Sequence, residues 1–205
     1  TTQVQALTTA HVAALTTADV ASMTSAQVAA LSSTQAAAIE TTDISQFNTT
    51  NVRALSTTAI TGLDTAQIAA LNTAQVNALT STQSAALNTA QAAALETGDI
   101  SQLTTAALRT LSTAAVNALG TNQIAALTTA QVVALATTQV QALTTAQVAA
   151  LESTDLAAMT SAQAAVLNTA QAAAIETTDI SAMSTASVRA LTTAAVNALG
   201  TDQIA

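Results

Sequence analysis

Large apolar residues recur every eight residues along the whole chain. We take Thr8 as position 1 and Leu15 as position 8 of the first complete octad. Position 8 is then Leu, Met, Ile or Phe in every copy, and position 5 is Val, Ile, Leu or Ala everywhere except at Ser84. Position 2 is always Thr or Ser, position 7 is mostly Ala, and position 4 is most often Gln. A register that never slips over 205 residues indicates a protein built from eight-residue repeats.

The period of eight does not suit one continuous helix. Eight residues rotate a helix by about 800°, so each octad would drift by roughly 80° and the apolar residues would not form a face. A β-solenoid is an alternative reading of the same period. The Ala-rich stretch between positions 5 and 8, the scarcity of Gly and the poor period-two alternation disfavour strands.

One short helix per octad explains the pattern better. In Leu127-Thr128-Thr129-Ala130-Gln131-Val132, Thr128 is a preferred N-cap and Gln131 follows it at the spacing of a capping box. Leu127 precedes the cap and Val132 lies in the first turn, which is the spacing of a hydrophobic staple. The sequence therefore predicts a new helix start in every octad.

Helices this short need neighbours, because isolated helices below about 12 residues are marginally stable. We therefore predict an all-α solenoid, a superhelical rod of very short helices that stack and bury their position-5 and position-8 side chains. Residues 1–205 form one continuous repeat domain in this interpretation. Since the chain begins and ends inside an octad, we expect it to be a segment of a longer protein.

The constant hydroxyl at position 2 has three candidate roles. It could cap a helix in octads that have Glu at position 1, it could form hydrogen bonds between successive turns of the solenoid, or it could form an exposed Thr row that meets glycans or ice. The sequence leaves these alternatives open.

Composition and charge exclude several classes of protein. The chain has 3 Arg, no Lys and 11 acidic residues, a net charge of −8, so we expect no binding to nucleic acid. Without Cys there is no disulfide framework, thiol nucleophile or Cys-ligated zinc site. Hydroxyl residues interrupt every apolar run well short of the roughly 20 residues of a membrane span, so we expect no membrane insertion.

Acidic pairs are the only candidate metal ligands. Four Glu-x-x-Asp pairs place two carboxylates at one helix start: Glu40 and Asp43, Glu96 and Asp99, Glu152 and Asp155, Glu176 and Asp179. Calcium takes six to eight oxygens, so carboxylates of neighbouring turns would have to converge. The plainer interpretation is favourable charge at a helix N-terminus, with the three Arg at position 6 pairing with these acids across turns.

No constellation of catalytic residues is visible in the sequence. His11 is alone, at a position usually held by Gln, and we expect a cap-type hydrogen bond or plain exposure there. Phe47 and the Met residues stand where other octads have Leu, so we expect them in the core. We expect no enzymatic activity and no cofactor, with calcium as the one weak candidate.

The Thr/Ala-rich octads, of which Leu127–Val132 is typical, resemble the octapeptide tracts of very large bacterial secreted surface proteins of the adhesin or filament type. The resemblance covers the whole chain. It implies export to the cell surface or beyond, a structural or adhesive role, contacts with the cell surface or glycans, and frequent self-association.

These observations favour a structural protein, an extracellular fibre, stalk or filament whose partner is a further copy of itself. The alternative is a binding module, either a calcium-dependent adhesin or an ice-binding Thr ladder.

Overall fold

In the computed structural model, which describes residues 1–204, the chain forms one short helix per octad. The helices are α1 (Thr2–Gln5), α2 (Thr9–Ala13), α3 (Thr17–Ser22), α4 (Ser25–Val28), α5 (Ser33–Ala37), α6 (Thr41–Ile44), α7 (Thr49–Ala54), α8 (Thr57–Gly62), α9 (Thr65–Ala69), α10 (Thr73–Ala78), α11 (Ser81–Ala85), α12 (Thr89–Ala94), α13 (Thr97–Ile100), α14 (Thr105–Thr110), α15 (Thr113–Asn117), α16 (Thr121–Ala125), α17 (Thr129–Ala134), α18 (Thr137–Ala142), α19 (Thr145–Ala149), α20 (Ser153–Ala158), α21 (Ser161–Ala164), α22 (Thr169–Ala173), α23 (Thr177–Ala182), α24 (Thr185–Ala190), α25 (Thr193–Asn197) and α26 (Thr201–Ile204).

Each complete octad starts its helix with position 1 as the N-cap. In the octad of α17, the Thr128 hydroxyl accepts the N–H of Gln131, and the Gln131 side chain accepts the N–H of Thr128. At the other end, the N–H of Leu135 donates to the carbonyl of Val132, which closes a tight last turn. Position 8 then takes an extended conformation and leads to the next cap.

The helices pack against their third neighbours along the chain. The chain divides into two compact units, Thr1–Leu111 and Ser112–Ala205, which are described separately. In the first unit α5 packs on α8, and α8 packs on α11. In the second unit α17 packs on α20, and α20 packs on α23. Each unit is therefore an α-solenoid, and we call one of its turns a coil.

A coil contains between three and four octads. Helix pairs three octads apart are in contact, while hydrogen bonds reach 28 and 31 residues back, into the fourth preceding octad. The core of each unit is formed by positions 5 and 8 of stacked coils. Ile60 and Ile124, both at position 5, are completely buried, and Leu63 and Leu119 at position 8 are nearly so.

The structure confirms the predicted fold class, an all-α solenoid with one very short helix per octad. Residues 1–204 contain no strand, so the β-solenoid alternative is wrong for this part of the chain. One continuous repeat domain over residues 1–205, and its place in a longer protein, stay predictions. No helix among residues 1–204 has both the length and the apolar character needed to cross a bilayer.

Candidate functional site

The glutamine at position 4 joins each coil to the preceding one. Gln91 is 1% exposed, and its Oε1 accepts the N–H of Asn88, the N-cap of its own helix, at 3.0 Å. Its Nε2 donates to the carbonyls of Ile60 at 2.7 Å and Leu63 at 2.8 Å, one coil earlier. One neutral side chain thus satisfies a helix start and the end of another helix.

This arrangement recurs in both units. The Nε2 atom donates to the carbonyls of positions 5 and 8, which lie 31 and 28 residues earlier, from Gln35, Gln67, Gln75, Gln83 and Gln91 in the first unit and from Gln147, Gln163, Gln171 and Gln203 in the second. Buried polar groups need such partners, because an unpaired donor or acceptor costs about 1–3 kcal/mol. The glutamines therefore hold the stack together.

The capping-box spacing predicts only a capping role for these glutamines, and it does not predict their bonds between coils. A signal for the second role is present in the sequence. A capping box accepts Glu as readily as Gln, yet Glu never occurs at position 4 of this chain. The carbonyls of the preceding coil require a donor, which the Gln amide supplies and a carboxylate lacks.

Shorter polar residues at position 4 make half of this connection. Asn51 donates from Nδ2 to the carbonyl of Met23 at 2.9 Å, and the Ser187 hydroxyl donates to the carbonyl of Met159 at 2.7 Å. Both acceptors are position-8 carbonyls, 28 residues earlier. The longer Gln side chain is needed to reach the position-5 carbonyl as well.

Aspartates at position 4 connect the coils through a different bond. The Thr17 hydroxyl donates to Asp43 Oδ1 at 2.7 Å, and the Thr73 hydroxyl donates to Asp99 Oδ1 at 2.6 Å. In the second unit Asp155 and Asp179 accept in the same way from the hydroxyls of Thr129 and Ser153. All four carboxylates are buried, at most 7% exposed.

These bonds show one role of the constant hydroxyl at position 2. The N-cap is position 1 in every complete octad, including those that begin with Glu40 and Glu96, so the cap role for position 2 is wrong. Position 2 bonds between coils where the facing residue is Asp. Elsewhere many position-2 hydroxyls, such as those of Thr105 and Thr113, lie on the exposed surface.

Two aspartates have shifted pKa values of opposite sign. Burial raises the pKa of the Asp155 carboxyl, and its Oδ2 atom has no hydrogen-bond partner among the described residues. Asp19, which lies on the surface, accepts from the hydroxyl and the N–H of Thr16, and these bonds lower its pKa. The first carboxyl is therefore easier to protonate than usual and the second harder.

The candidate calcium ligands are only partly brought together. Glu152, Glu176 and Asp179 line one groove of about 450 Å³ between stacked octads of the second unit. No group of three His, Asp or Glu side chains within residues 1–204 has the arrangement of a metal site. The four aspartates of the pairs are engaged by hydroxyls, and the four glutamates are N-caps without a side-chain cap bond.

The remaining singled-out residues have structural positions. His11 Nδ1 accepts the N–H of Thr8 at 3.3 Å, so this histidine caps a helix as a glutamine does elsewhere. Phe47 is buried in the core. Arg53, Arg109 and Arg189 are exposed, and the expected pairing with acids across coils is not found for any of them in the described part of the chain.

Ser84 is the polar exception at position 5, and it is completely buried. Its hydroxyl has no hydrogen-bond partner within residues 1–204. Nothing in the structure explains this serine.

Comparison with known proteins identifies the repeat. The model of the ALTTAQ repeat matches six segments of the chain: residues 1–33, 36–73, 63–95, 92–129, 125–153 and 172–205. No curated protein and no solved structure matches the chain. The letters of the family's description stand at residues 142–147, where they include the position-8 residue Leu143, the N-cap Thr144 and Gln147, whose amide bonds to the preceding coil. The chain belongs to the ALTTAQ repeat family.

Proposed function

We propose that this protein is a structural element, a repeat solenoid that forms an extracellular fibre, stalk or filament. The observation that carries the proposal is the repeated bond from position-4 glutamine to the carbonyls of the preceding coil. Its acceptors are backbone atoms, which every octad offers. An array of this kind can be lengthened by adding octads, and length is what a fibre or stalk needs.

The use made of the buried polar side chains also supports a mechanical role. Gln67 and Gln75 bond to helix ends and to carbonyls of the previous coil, and Asp43 and Asp99 accept from hydroxyls of a neighbouring coil. These buried polar groups are therefore used to hold the stacked helices together. We accordingly propose no enzymatic activity for this chain.

The surface composition supports self-association outside the cell. Charged residues make up 7% of the chain, and Thr, Ser, Ala and Asn supply most exposed positions. Such a surface brings copies together with little charge repulsion. We place the protein at the cell surface or in the extracellular space, in line with the surface-protein tracts that its octads resemble.

Electron microscopy of material isolated from its natural source tests the proposal. We expect filaments or rods that bind antibodies raised against the 205-residue chain. Protease added to intact cells should remove the antibody signal, since the protein is exposed outside. Discrete globular particles, or a signal protected until the cells are broken, would contradict the proposed role and location.

A binding module is the second candidate, supported by the exposed hydroxyls of position 2. Thr105 and Thr113 begin successive helices of the repeat and both are exposed. Thermal hysteresis of the purified chain would favour ice binding, and a calcium-dependent rise in melting temperature would favour a calcium-dependent adhesin. We expect neither effect from a fibre protein.

A further inference from the structure

Each of the three Arg residues follows a Glu at a distance of 13 residues. The pairs are Glu40 and Arg53, Glu96 and Arg109, and Glu176 and Arg189. The fourth glutamate, Glu152, has Ala165 at the corresponding place. All six paired residues are exposed, and none of the three Arg forms an ion pair within residues 1–204. Contacts within the described chain therefore do not account for this spacing.

Helix capping does not account for the glutamates either. Most octads have Thr, Ser, Asn or Asp at position 1, and the side chains of Thr128 and Asn88 accept an N–H from their own first turn. Glu40 and Glu96 begin their helices without a side-chain cap bond, and Glu is not among the preferred N-caps. A role outside the helix is therefore the better explanation for these charges.

Hydrogen bonds stack the two glutamates of the first unit on one side of the solenoid. Gln75 donates to two carbonyls in the octad of Glu40. Thr73, in the octad of Gln75, donates to the aspartate in the octad of Glu96. Three octads thus lie one above another, and Glu40 and Glu96 are two coils apart. We call these two residues the Glu row.

The two arginines of the first unit are stacked in the same way. Gln83 donates to two carbonyls in the octad of Arg53. The carbonyl of Ser81, in the octad of Gln83, accepts the hydroxyl of Thr110 from the octad of Arg109. Arg53 and Arg109, which we call the Arg row, are therefore two coils apart as well. Their octads follow those of the Glu row along the chain, so they form the next side of the solenoid.

We propose that copies of this chain associate side by side, with the Arg row of one copy against the Glu row of the next. The proposal deepens the proposed function, on which it rests, by naming a lateral contact between copies. A second copy is the occupant because every copy carries both rows, with opposite charge and the same two-coil spacing. Since the rows lie on different sides, each copy keeps one row free, and the array remains open.

The charges determine the register of this contact more than its strength. In parallel copies Arg53 meets Glu40 and Arg109 meets Glu96, whereas a shift by one coil separates both pairs. Contacts between like rows are repelled. Exposed ion pairs add little affinity, so the neutral surface around the rows supplies the remaining contact. Charged residues make up only 7% of the chain, which leaves few other charges to compete with these pairs.

Sedimentation equilibrium of the purified chain tests the contact. We expect association of the unmodified chain, and we expect the double variant Arg53→Gln, Arg109→Gln to associate about tenfold more weakly. The double variant Gln46→Glu, Gln102→Glu is the matched control. Both of its glutamines are exposed, are spaced like the two rows and leave the rows unchanged. Each double variant carries two more units of negative charge than the unmodified chain.

The comparison with this control separates the ion pairs from net charge. Equal association of both variants, whether weakened or not, would overturn the proposal. If the unmodified chain stays monomeric while native filaments exist, the lateral contact is wrong and the proposed function stands. Native material without filaments would contradict the proposed function itself.

Charge reversal tests the pairing of unlike rows. The variants Arg53→Glu, Arg109→Glu and Glu40→Arg, Glu96→Arg each place like charges at the contact, so each alone should associate more weakly. An equimolar mixture restores opposite charges and should associate at least as strongly as the unmodified chain. If the mixture associates no better than either variant alone, the rows do not pair.

Cysteine cross-linking tests the register, even if a reversed variant fails to fold. The chain has no native Cys, so oxidation of a mixture of Glu40→Cys and Arg53→Cys chains should give mainly mixed dimers. Gln46→Cys replaces Glu40→Cys in the control mixture and should give few mixed dimers, because residue 46 lies outside both rows. Equal yields from the two mixtures would contradict the proposed register.

Discussion

At the scale of single residues, position 4 decides how well two coils hold together. Gln91 combines an acceptor for its own helix start with donors for the carbonyls of Ile60 and Leu63. A carboxylate of the same shape retains the first function and reverses the second, because it places negative charge against two carbonyl oxygens. Replacing the amide by a carboxylate at this site should therefore have a large effect on the stability of the fold.

We predict that Gln91→Glu lowers the free energy of unfolding by about 3 kcal/mol or more at pH 7, because it leaves a buried charge without partners. Burial and the facing carbonyls raise the pKa of the new carboxyl in the folded state. Stability is therefore present at low pH and is lost as the pH rises through that raised pKa. Urea unfolding at pH 4 and pH 7 measures both effects.

Gln27→Glu is the matched control for that substitution. Gln27 makes the same cap bonds, but its Nε2 reaches no carbonyl in the described residues. Gln27 is half-buried and has no bond to a neighbouring coil among the described residues, so we expect the free energy of unfolding to change by no more than about 0.5 kcal/mol. Equal losses from both substitutions would show that the bonds between coils contribute little.

Asp155 should make stability depend on pH in an unusual direction. Its folded-state pKa is raised, so its favourable contribution is present below the unfolded pKa and is lost as the pH rises through the folded one. Asp155→Asn should raise the urea midpoint at pH 7 and remove this dependence. Asn can still accept from Thr129, and its amide can donate to a position-8 carbonyl, as Asn51 does.

Asp19 provides the opposite case for comparison. Hydrogen bonds from Thr16 lower its folded-state pKa, so its contribution is present above the unfolded pKa and is lost as the pH falls. Asp19→Asn should therefore change stability at neutral pH and leave it unchanged in acid. If both substitutions shifted stability in the same pH range and direction, the assigned pKa shifts would be wrong.

At the scale of helices, the closeness of stacking depends on small residues at position 7. Gly62 ends α8, and a Cβ atom built there would lie 2.3 Å from the carbonyl oxygen of Ser33 in α5. No side chain fits at that distance, so α5 and α8 can approach only because residue 62 is Gly. In α14, position 7 is occupied by Thr110. Its hydroxyl donates to the carbonyl of Ser81 in α11.

We predict that Gly62→Ala destabilises the first unit by about 1–3 kcal/mol, because α8 must move away from α5. Gly98→Ala is the control, since a Cβ at residue 98 meets nothing within 4 Å. There the higher helix propensity of Ala should stabilise the chain by up to about 1 kcal/mol. Thermal melts of the two variants should shift in opposite directions, and a common direction would contradict this account of the packing.

The sequence predicted the helices well because their signals are local. The cap, the capping box and the staple all lie within six consecutive residues, so Thr128, Gln131 and Val132 could be assigned from the sequence. The hydrogen bonds between coils could not be assigned, because they join residues 25 to 31 positions apart. The number of octads per coil sets those partners, and it depends on packing angles that no local motif encodes.

At the scale of the whole molecule, the contacts between coils are made by groups that every octad has. Position 2 is always a hydroxyl residue, and positions 5 and 8 always present a carbonyl. An Asp or Gln at position 4 therefore finds a partner in whichever octad lies at the required distance. The sequence Glu-Thr-x-Asp-Ile-Ser occurs three times, at residues 40–45, 96–101 and 176–181. The shared partners explain why these copies are spaced by whole octads.

We predict that deleting one octad, residues 64–71, leaves a folded chain with a similar unfolding midpoint. Gln75 would then bond to the carbonyls of Ala36 and Ile39, which Gln67 uses in the intact chain. Circular dichroism during urea unfolding measures the midpoint and the cooperativity.

Deleting half an octad, residues 64–67, is the matched control. It shifts the register, so the amides of Gln75, Gln83 and Gln91 lose their carbonyls, at about 1–3 kcal/mol each. We therefore expect this deletion to lower the free energy of unfolding by several kcal/mol. Equal tolerance of both deletions would mean that the octad register does not determine the stack.

The bonds between coils also govern how such a chain responds to a pulling force. A terminal coil is tied by its glutamine amides to the adjacent coil, so tension on the end can detach it while the rest stays folded. Each detached coil, about 28 residues, releases on the order of 90 Å of slack. The molecule can then lengthen in small reversible steps that dissipate a load, and refold from the remaining stack when the load is removed.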